Sequence, residues 1–231
     1  MKYIKTLTIM FDTEINQNEV PLLRGAVLKK LGDNANILFH NHLPNNTFRY
    51  SYPLIQYKRI FGKAAIVCIE DGVNLIGQFL SSLDGPLMIG KREIELNTNR
   101  IQPARLLVQT WDNSFSYQIN RWLPLNSRNF VLYQALIGDV ERIAFLENIL
   151  KANLLSMLKG LEIYLEQEIV VNISQISEPF HVYNKGVKMI AFNADFTSNL
   201  SIPNNLGIGK NASIGCGVVH QMNSEHKTIT Q

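Results

Sequence analysis

Two histidines, His40 and His42, are the residues best suited to acid–base chemistry. Imidazole exchanges a proton near neutral pH, because its unperturbed pKa is about 6.5. The two residues lie two positions apart, so an extended backbone would place both side chains on one face. The other histidines are expected in a loop between strands, in the last strand and in a polar tail, and are His181, His220 and His226. The pair is therefore the candidate for proton transfer. The alternative is two surface imidazoles that bind phosphate or no ligand.

No metal site or cofactor is predicted. A zinc site at the histidine pair lacks a third and a fourth ligand nearby. Cys68 and Cys216 cannot form a disulfide framework or a four-cysteine zinc site, and we expect two small buried thiols. The acidic residues are scattered, so the sequence does not indicate a two-metal nuclease.

A basic stretch surrounds the histidine pair. The whole chain carries a net charge of only +3, but residues 24–63 hold seven lysines or arginines and a single acid. Aromatic residues are interleaved with them, namely Phe39, Phe48, Tyr50, Tyr52 and Tyr57. Basic and aromatic side chains together suit a polyanion with bases that stack, although such charges also occur on ordinary solvated surfaces.

Glycines recur in the segment LGIGKNASIGCG, residues 206–217, called here the glycine-rich loop. Positive φ and close approach of a ligand are possible at its glycines, which are Gly207, Gly209, Gly215 and Gly217. Successive backbone N–H groups, with Lys210 and Ser213, would form a concave anion site. Asn204 and Asn211 exclude a Walker A loop, and a dinucleotide fingerprint has no room for its βαβ unit. The alternative is a glycine-rich bend without a ligand.

Apolar patterning predicts a ferredoxin-like unit in the first part of the chain. Residues 3–11 alternate as a half-buried strand, and a helix that starts near Asn18 and Pro21 ends at Gly32. Two strands, a helix and a last strand follow over residues 48–59, 64–70, 73–83 and 87–96. The order β-α-β-β-α-β is the split βαβ arrangement, a common platform for RNA recognition. The polar residues 97–103 are expected to form a linker.

The second part of the chain repeats this order in degenerate form. Residues 105–121 are strand-rich, with a hairpin turn expected at Asp112 and Asn113, and Ser127 or Asp139 can cap the helices that follow. Strands are predicted over residues 169–176, 187–197 and 217–222, and the glycine-rich loop stands where a second helix would be expected. We therefore predict the α+β class, with two tandem ferredoxin-like domains at residues 1–100 and 101–231.

Composition excludes several classes of protein. Hydrophobic residues make up 46% of the 231 residues and charged residues 18%, which excludes disorder. No apolar run reaches the roughly 18 residues of a membrane span, so no membrane partner is expected. Threonine and aspartate interrupt the apolar start of the chain, unlike in a signal peptide. These features predict a cytoplasmic protein.

Two parts of the sequence resemble one family. The segment IPNNLGIGKNASIGCG at residues 202–217, preceded by AFNADF at 191–196, is similar to the C-terminal signature of CRISPR-associated endoribonucleases that process CRISPR RNA precursors. They form the sixth Cas family, within the RAMP superfamily. The segment LFHNHL at 38–43, followed by FRYSYPLIQYK at 48–58, resembles the N-terminal catalytic region of that family. Cys216 departs from the signature, since relatives usually place an aromatic residue there.

The resemblance implies cleavage of CRISPR repeat RNA without a metal or cofactor. The 2′-hydroxyl upstream of the scissile phosphate attacks it, leaving a 2′,3′-cyclic phosphate and a 5′-hydroxyl. His40 or His42 would transfer a proton, and Lys58 would stabilise the charged phosphorane. A tyrosine would orient the 2′-hydroxyl or share in proton transfer, with Tyr50, Tyr52 and Tyr57 as candidates. Phosphate contacts would come from the glycine-rich loop and from Arg49, Arg59 and Lys210.

Three functions fit the sequence. The first is this endoribonuclease, as a monomer or a homodimer. The second is a catalytically inactive RAMP-like subunit that holds guide RNA in a CRISPR effector complex, a role the glycine-rich loop would serve equally well. The third is a ferredoxin-like protein that binds a nucleotide phosphate, with little salt-dependent affinity for RNA. Loss of cleavage on substitution of the histidines separates the first from the second.

Overall fold

The computed structural model describes residues 2–32, 36–39 and 52–222. In the first half the elements are β1 (Lys2–Glu14), α1 (Val20–Leu31), β2 (Ile55–Ile60), β3 (Lys63–Ile69), α2 (Asp71–Leu80), β4 (Leu87–Ile89), β5 (Arg92–Ile94) and β6 (Thr98–Val108). Four strands form an antiparallel sheet in the order β2-β3-β1-β6. This is the ferredoxin-like strand order, and it confirms the predicted α+β class for this half.

The helices of this half pack on one face of the sheet. Pro21 lies in the first turn of α1, where its missing N–H costs no hydrogen bond, and Gly32 ends the helix with a φ of +60°. The helix buries Leu23 and Val27 in the core that also contains Ile66 of β3. The apolar residues at helical spacing thus form the buried stripe that the sequence predicts.

The other face of the same sheet packs against the second half of the chain. After Lys63, strand β3 is apolar, and its residues alternate between two cores. Ile66 and Cys68 face the helices, whereas Val67 and Ile69 join a larger core that includes Trp122. The two halves therefore share buried apolar surface, which is the main favourable contribution to folding.

Two predictions for the end of the first half are wrong. Residues 87–96 form the short hairpin β4–β5 with a turn at Gly90, whose φ is +63°, instead of the last strand of the sheet. The polar segment 97–103, expected to be a linker, lies mostly in β6 and pairs with β1. Backbone pairing does not depend on apolar side chains, and an edge strand tolerates polar residues and Pro103. The polar residues of this segment are thus the exposed side chains of an edge strand and not those of a linker.

The second half repeats the ferredoxin-like order. Its elements are β7 (Thr110–Trp122), α3 (Ser127–Ala135), α4 (Asp139–Gly160), β8 (Val171–Ile176), β9 (Phe180–Asn184), β10 (Val187–Leu200) and β11 (Val218–Gln221). The sheet order is β11-β7-β10-β8, with β9 paired to one end of β10. Residues 201–217 connect β10 to β11 without a helix, as the sequence predicts.

Local details of the second half differ from expectation. Asp112 and Asn113 do not form a hairpin turn, because both lie within β7. Only Gln109 separates β7 from β6, and these two strands belong to different sheets. The N-cap of α3 is Asn126, whose side chain accepts a hydrogen bond from the backbone of Asn129 at 2.8 Å, and not Ser127. Gly138, not Asp139, precedes α4. Adjacent polar residues compete for a cap, so sequence places it only to within one position.

None of the helices in the described part of the chain is both long enough and apolar enough to span a membrane.

Candidate functional site

The structure describes part of the predicted site. His40, His42 and Arg49 lie outside the described residues, as does Tyr50, and their roles stay predictions. Tyr52 and Lys58 both contact the glycine-rich loop. Arg59 is exposed, and its Nε donates a hydrogen bond to the backbone oxygen of Ile15 at 2.7 Å. The described site is therefore a junction between β2 of the first half and the glycine-rich loop of the second.

Strand β2 is the edge of the first sheet, and the glycine-rich loop covers that edge. The N–H of Tyr57 donates to the oxygen of Ser213 at 2.8 Å, and Tyr57 forms an isolated parallel bridge with Ile214. An uncovered edge strand would expose unpaired backbone groups. The loop is thus held by backbone pairing to the half of the molecule that contains the predicted catalytic region.

Side chains from the first half hold both backbone groups of Gly207. The N–H of Gly207 donates to Oε1 of Gln56 at 2.8 Å, and the hydroxyl of Tyr52 donates to the Gly207 oxygen at 2.8 Å. A Cβ at position 207 would collide with the Ala212 oxygen and with Nζ of Lys58. Glycine is required here because the loop backbone passes too close to its neighbours for any side chain. Burial raises the pKa of Tyr52, which keeps the phenol protonated.

Lys58 lies beneath the glycine-rich loop with no exposed surface. Its Nζ donates to the Ala212 oxygen at 2.7 Å, and no described carboxylate forms an ion pair with it. Burial lowers the pKa of Lys58 from 10.5 to about 7, because the protonated amine loses its hydration. Strand alternation places Gln56 and Lys58 on the loop side of β2, while Tyr57 faces the helices.

Cys216 and His220 are electrostatically coupled to Lys58. Burial raises the pKa of the Cys216 thiol, and Arg121 and Lys58 oppose that shift. Burial also lowers the pKa of half-buried His220, with the charge of Lys58 as the second cause. Cys216 and Cys68 are both free and buried, as the sequence predicts. Among the described residues, no three histidine, cysteine or acidic side chains are close enough to hold a metal ion.

The glycine-rich loop adopts the backbone that its glycines were predicted to allow. Gly209, Gly215 and Gly217 have φ values of +80°, +81° and +60°. The oxygen of Gly215 accepts a hydrogen bond from Nε2 of Gln17 at 3.1 Å. The loop is therefore a folded structure with contacts to both halves.

Part of this loop carries the groups that the predicted anion site requires. The N–H groups of Gly209 and Lys210 have no acceptor among the described residues, and Lys210 is exposed. Free N–H groups beside an ammonium attract phosphate, since both supply positive charge and hydrogen-bond donors. Ser213, half-buried, uses its backbone oxygen to bind β2. Phosphate binding by the loop itself stays a prediction.

Sequence reasoning missed several residues of the junction. Gln56, Gln17 and Asn153 were not singled out, and His220 was considered only as a residue of the last strand. Each contacts the glycine-rich loop or interacts electrostatically with a residue beneath it. Gln56 did not stand out, because strand β2 also contains Lys58 and Arg59, and the sequence does not tell which of these polar residues is buried and needs a partner. The other three lie on elements whose approach to the loop depends on the packing of the two halves.

Family models cover both halves of the chain. The model of the Cas6b N-terminal domain matches residues 2–106, and the model of the Cas6b C-terminal domain matches residues 109–222. A protein from Methanocaldococcus jannaschii, described as uncharacterised, is 38% identical over 109 residues, which span 47% of this chain and 73% of that protein.

Two solved structures share the fold over nearly the whole chain. A crystal structure of Cas6b is 29% identical and covers 96% of this chain and 100% of its own, with a TM-score of 0.86. A second, described as the CRISPR RNA processing endoribonuclease Cas6b, is 27% identical over the same shares, with a TM-score of 0.74. The tandem arrangement of two ferredoxin-like halves is therefore common to this chain and these proteins.

Proposed function

The chain belongs to the Cas6b family, and on that premise we propose that it is an endoribonuclease that cleaves CRISPR repeat RNA into guide RNAs. The observation that carries the proposal is its likeness, over 96% of its length, to a structure described as a CRISPR RNA processing endoribonuclease. The predicted catalytic segment and the glycine-rich loop come from opposite halves of the chain. Strand β2, which directly follows that segment, is hydrogen-bonded to the loop.

The proposed reaction needs no metal. The oxygen of the 2′-hydroxyl forms a bond to the scissile phosphorus while the bond to the 5′-oxygen breaks. A base takes the 2′-hydroxyl proton, and an acid gives a proton to the leaving 5′-oxygen. His40 and His42 are the proposed proton-transfer residues, since imidazole serves either step near neutral pH. The products carry a 2′,3′-cyclic phosphate and a 5′-hydroxyl.

Lys58 and Tyr52 have two proposed roles that experiments can separate. The sequence-based role is direct contact with the reacting phosphate or the 2′-hydroxyl. The hydrogen bonds to Ala212 and Gly207 support a second role, in which both residues hold the glycine-rich loop against β2. In that role they act as positioning residues, and their substitution would weaken RNA binding together with cleavage.

The proposed RNA contact lies on the exposed side of the glycine-rich loop. The free N–H groups of Gly209 and Lys210, together with the Lys210 ammonium, would bind the phosphate backbone. Arg49 and Arg59 would add phosphate contacts on the side of the first half. Such contacts make binding weaken steeply as salt rises, because each phosphate contact releases counterions.

The test is cleavage of the cognate repeat RNA in excess EDTA by the wild type, His40→Ala and His42→Ala. His181→Ala is the matched control, since His181 is exposed on β9, far along the chain from the predicted catalytic segment. We expect wild type and control to cut at one site, and at least one of the other variants to bind RNA without cutting it.

Other results would support the competing functions. Salt-dependent binding of repeat RNA without any cleavage by the wild type would indicate a guide-RNA-holding subunit of an effector complex. Tight binding of a mononucleotide, with little salt-dependent affinity for RNA, would indicate a nucleotide-binding protein. Either result would overturn the proposed endoribonuclease activity.

A further inference from the structure

A cleft of about 460 Å³ opens beside the glycine-rich loop, between the start of α3 and the middle of α4. Its volume lies in the range of clefts that hold small ligands. Polar lining comes from four asparagines and one lysine: Asn126, Asn129, Asn148, Asn153 and Lys210. The half-buried ring of Phe145 supplies an apolar wall. No function discussed so far uses this cleft.

The polar part of the lining consists mainly of amides, and apolar side chains such as Leu123 and Ile149 lie between them. Of the described residues that line the cleft, none is acidic and Lys210 alone is charged, so the cleft favours a neutral or anionic ligand. An asparagine side chain offers both a donor and an acceptor, which is the pattern needed to bind the edge of a heterocyclic base. An aromatic ring offers a stacking surface that any base can use.

Existing hydrogen bonds determine which amide atoms remain for a ligand. Oδ1 of Asn153 accepts from the indole N–H of Trp122 at 2.9 Å, and Oδ1 of Asn126 accepts from the backbone of Asn129 at 2.8 Å. Their amide nitrogens are left as donors. Nδ2 of Asn148 donates to the Ala144 oxygen at 3.0 Å, which leaves its oxygen as an acceptor. The cleft thus offers donors and an acceptor at fixed places.

The cleft and the glycine-rich loop form one continuous surface. A Cβ at Gly209 would lie 2.6 Å from Oδ1 of Asn153, so the loop backbone rests directly on α4. The next residue, Lys210, lines the cleft, and its N–H has no acceptor among the described residues. A phosphate bound at the loop would therefore lie within one nucleotide of the cleft.

We infer that this cleft binds one base of the RNA, turned out of the strand, with the neighbouring phosphate on Lys210. The inference rests on the proposed function, because it takes the ligand to be RNA. Single-stranded RNA is commonly read in this way, by amides on the base edge and by an aromatic side chain on its face. The cleft would then contribute to the choice of repeat sequence, separately from catalysis.

The test measures the affinity of a set of repeat RNAs, each with one abasic position. For the wild type we expect one position to lower affinity about tenfold or more. Asn148→Ala and Phe145→Leu should each bind the intact RNA more weakly than the wild type does. In these variants, removal of the base at that same position should lower the RNA affinity little further. Asn148 is exposed on a helix, so its replacement by alanine leaves the fold intact. Asn74→Ala, exposed on α2, is the matched control and should retain the wild-type pattern.

The outcomes separate this inference from the proposed function. An abasic pattern that is the same in the wild type, Asn148→Ala and Phe145→Leu would overturn the base-binding cleft, even if the wild type cuts RNA normally. A wild type that binds the repeat RNA without cutting it would overturn the endoribonuclease activity. The affinities for the abasic RNAs would then still decide whether the cleft binds a base. A wild type that does not bind the repeat RNA would overturn both.

Discussion

Lys58 is completely buried, and its one hydrogen-bond partner among the described residues is the carbonyl of Ala212. A charged amine in such a place opposes folding, since no described acid compensates for the lost hydration. Its pKa of about 7 means that the charge is partly lost near neutral pH. The uncharged amine still donates a hydrogen bond to the loop, so the junction between β2 and the glycine-rich loop survives deprotonation.

The first prediction concerns the pH dependence of stability. The folded-state pKa of Lys58, about 7, lies below its unfolded value of 10.5, so the unfolded chain binds more protons between these values. The free energy of unfolding of the wild type should therefore rise relative to that of Lys58→Met as pH increases from about 6 to about 9. Denaturant unfolding at several pH values measures this difference.

The His220→Gln background serves as the control for that measurement, because His220 also titrates and is coupled to Lys58. The pH-dependent difference should persist in that background. A difference between the wild type and Lys58→Met that stays constant across the range would contradict the buried charge.

The second prediction concerns Gly207. Gly207→Ala should lower both the free energy of unfolding and RNA cleavage, because the added Cβ collides with the Ala212 backbone and with Lys58. A cost of about 1–3 kcal/mol is typical of overpacking at a buried site. Thermal or denaturant unfolding and initial cleavage rates check the two effects.

Gly77→Ala is the matched control for that substitution. Gly77 lies inside α2 with nothing within 4 Å of the added Cβ, so the change should stabilise the helix by up to about 1 kcal/mol and leave cleavage unchanged. Equal stability and activity of Gly207→Ala and the wild type would show that the loop is less tightly held than described.

At the scale of elements, the edge strand β2 and the glycine-rich loop are joined by side chains as well as by backbone. Gln56 accepts from the Gly207 N–H and Tyr52 donates to the Gly207 oxygen. A buried N–H without an acceptor is rarer in proteins than a carbonyl with an unused lone pair. Loss of the Gln56 contact should therefore lower the free energy of unfolding more than loss of the Tyr52 contact.

The third prediction compares these two contacts. Gln56→Leu should cost about 1–3 kcal/mol of stability, since it leaves the Gly207 N–H buried without an acceptor, and Tyr52→Phe should cost about 0.5–1.5 kcal/mol. Denaturant unfolding gives both values. If both residues only position the loop, cleavage should fall in proportion to RNA affinity in each variant. Loss of cleavage with full RNA affinity in Tyr52→Phe alone would instead assign Tyr52 to the chemistry.

The elements were predictable to different degrees. Alternation and helical spacing located β1 and α1 correctly. Strand β1 is not half-buried as predicted, however, because Ile4 and Thr8 are buried on the face opposite Ile9 and Phe11, where the second half of the chain packs. The first part of strand β6, residues 98–104, was missed because its exposed polar residues carry no such signal, although its backbone pairs with β1. The bond from Gly207 to Gln56 joins residues 151 positions apart, and only tertiary packing brings them together. Lys58 and the loop glycines could thus be identified from the sequence, but the contacts between them could not.

At the scale of the whole molecule, the two halves share a core. Val67 and Ile69 of β3 lie with Trp122 of β7 in one buried cluster, while Ile66 faces the helices of the first half. Backbone pairing between β2 and the glycine-rich loop adds a second connection. Interfaces that are both apolar and extensive couple the unfolding of adjacent units.

The fourth prediction follows from this coupling. Both tryptophans of the chain, Trp111 and Trp122, lie in the second half. Ile66→Ala changes the core around the helices of the first half, to which the second half adds Ile214, and should destabilise the protein by about 2–5 kcal/mol. The tryptophan fluorescence transition should shift in denaturant by as much as the circular dichroism transition. A fluorescence transition that does not move would show that the halves unfold independently.

The most direct test of the account is the fate of a repeat RNA with a single 2′-deoxy nucleotide immediately upstream of the cut, incubated with the wild type in EDTA. We expect this RNA to be bound as tightly as the unmodified repeat and not to be cut, and the unmodified repeat to yield a 2′,3′-cyclic phosphate and a 5′-hydroxyl. Cleavage of the deoxy substrate at the wild-type rate, or a requirement for added metal, would contradict attack by the 2′-hydroxyl.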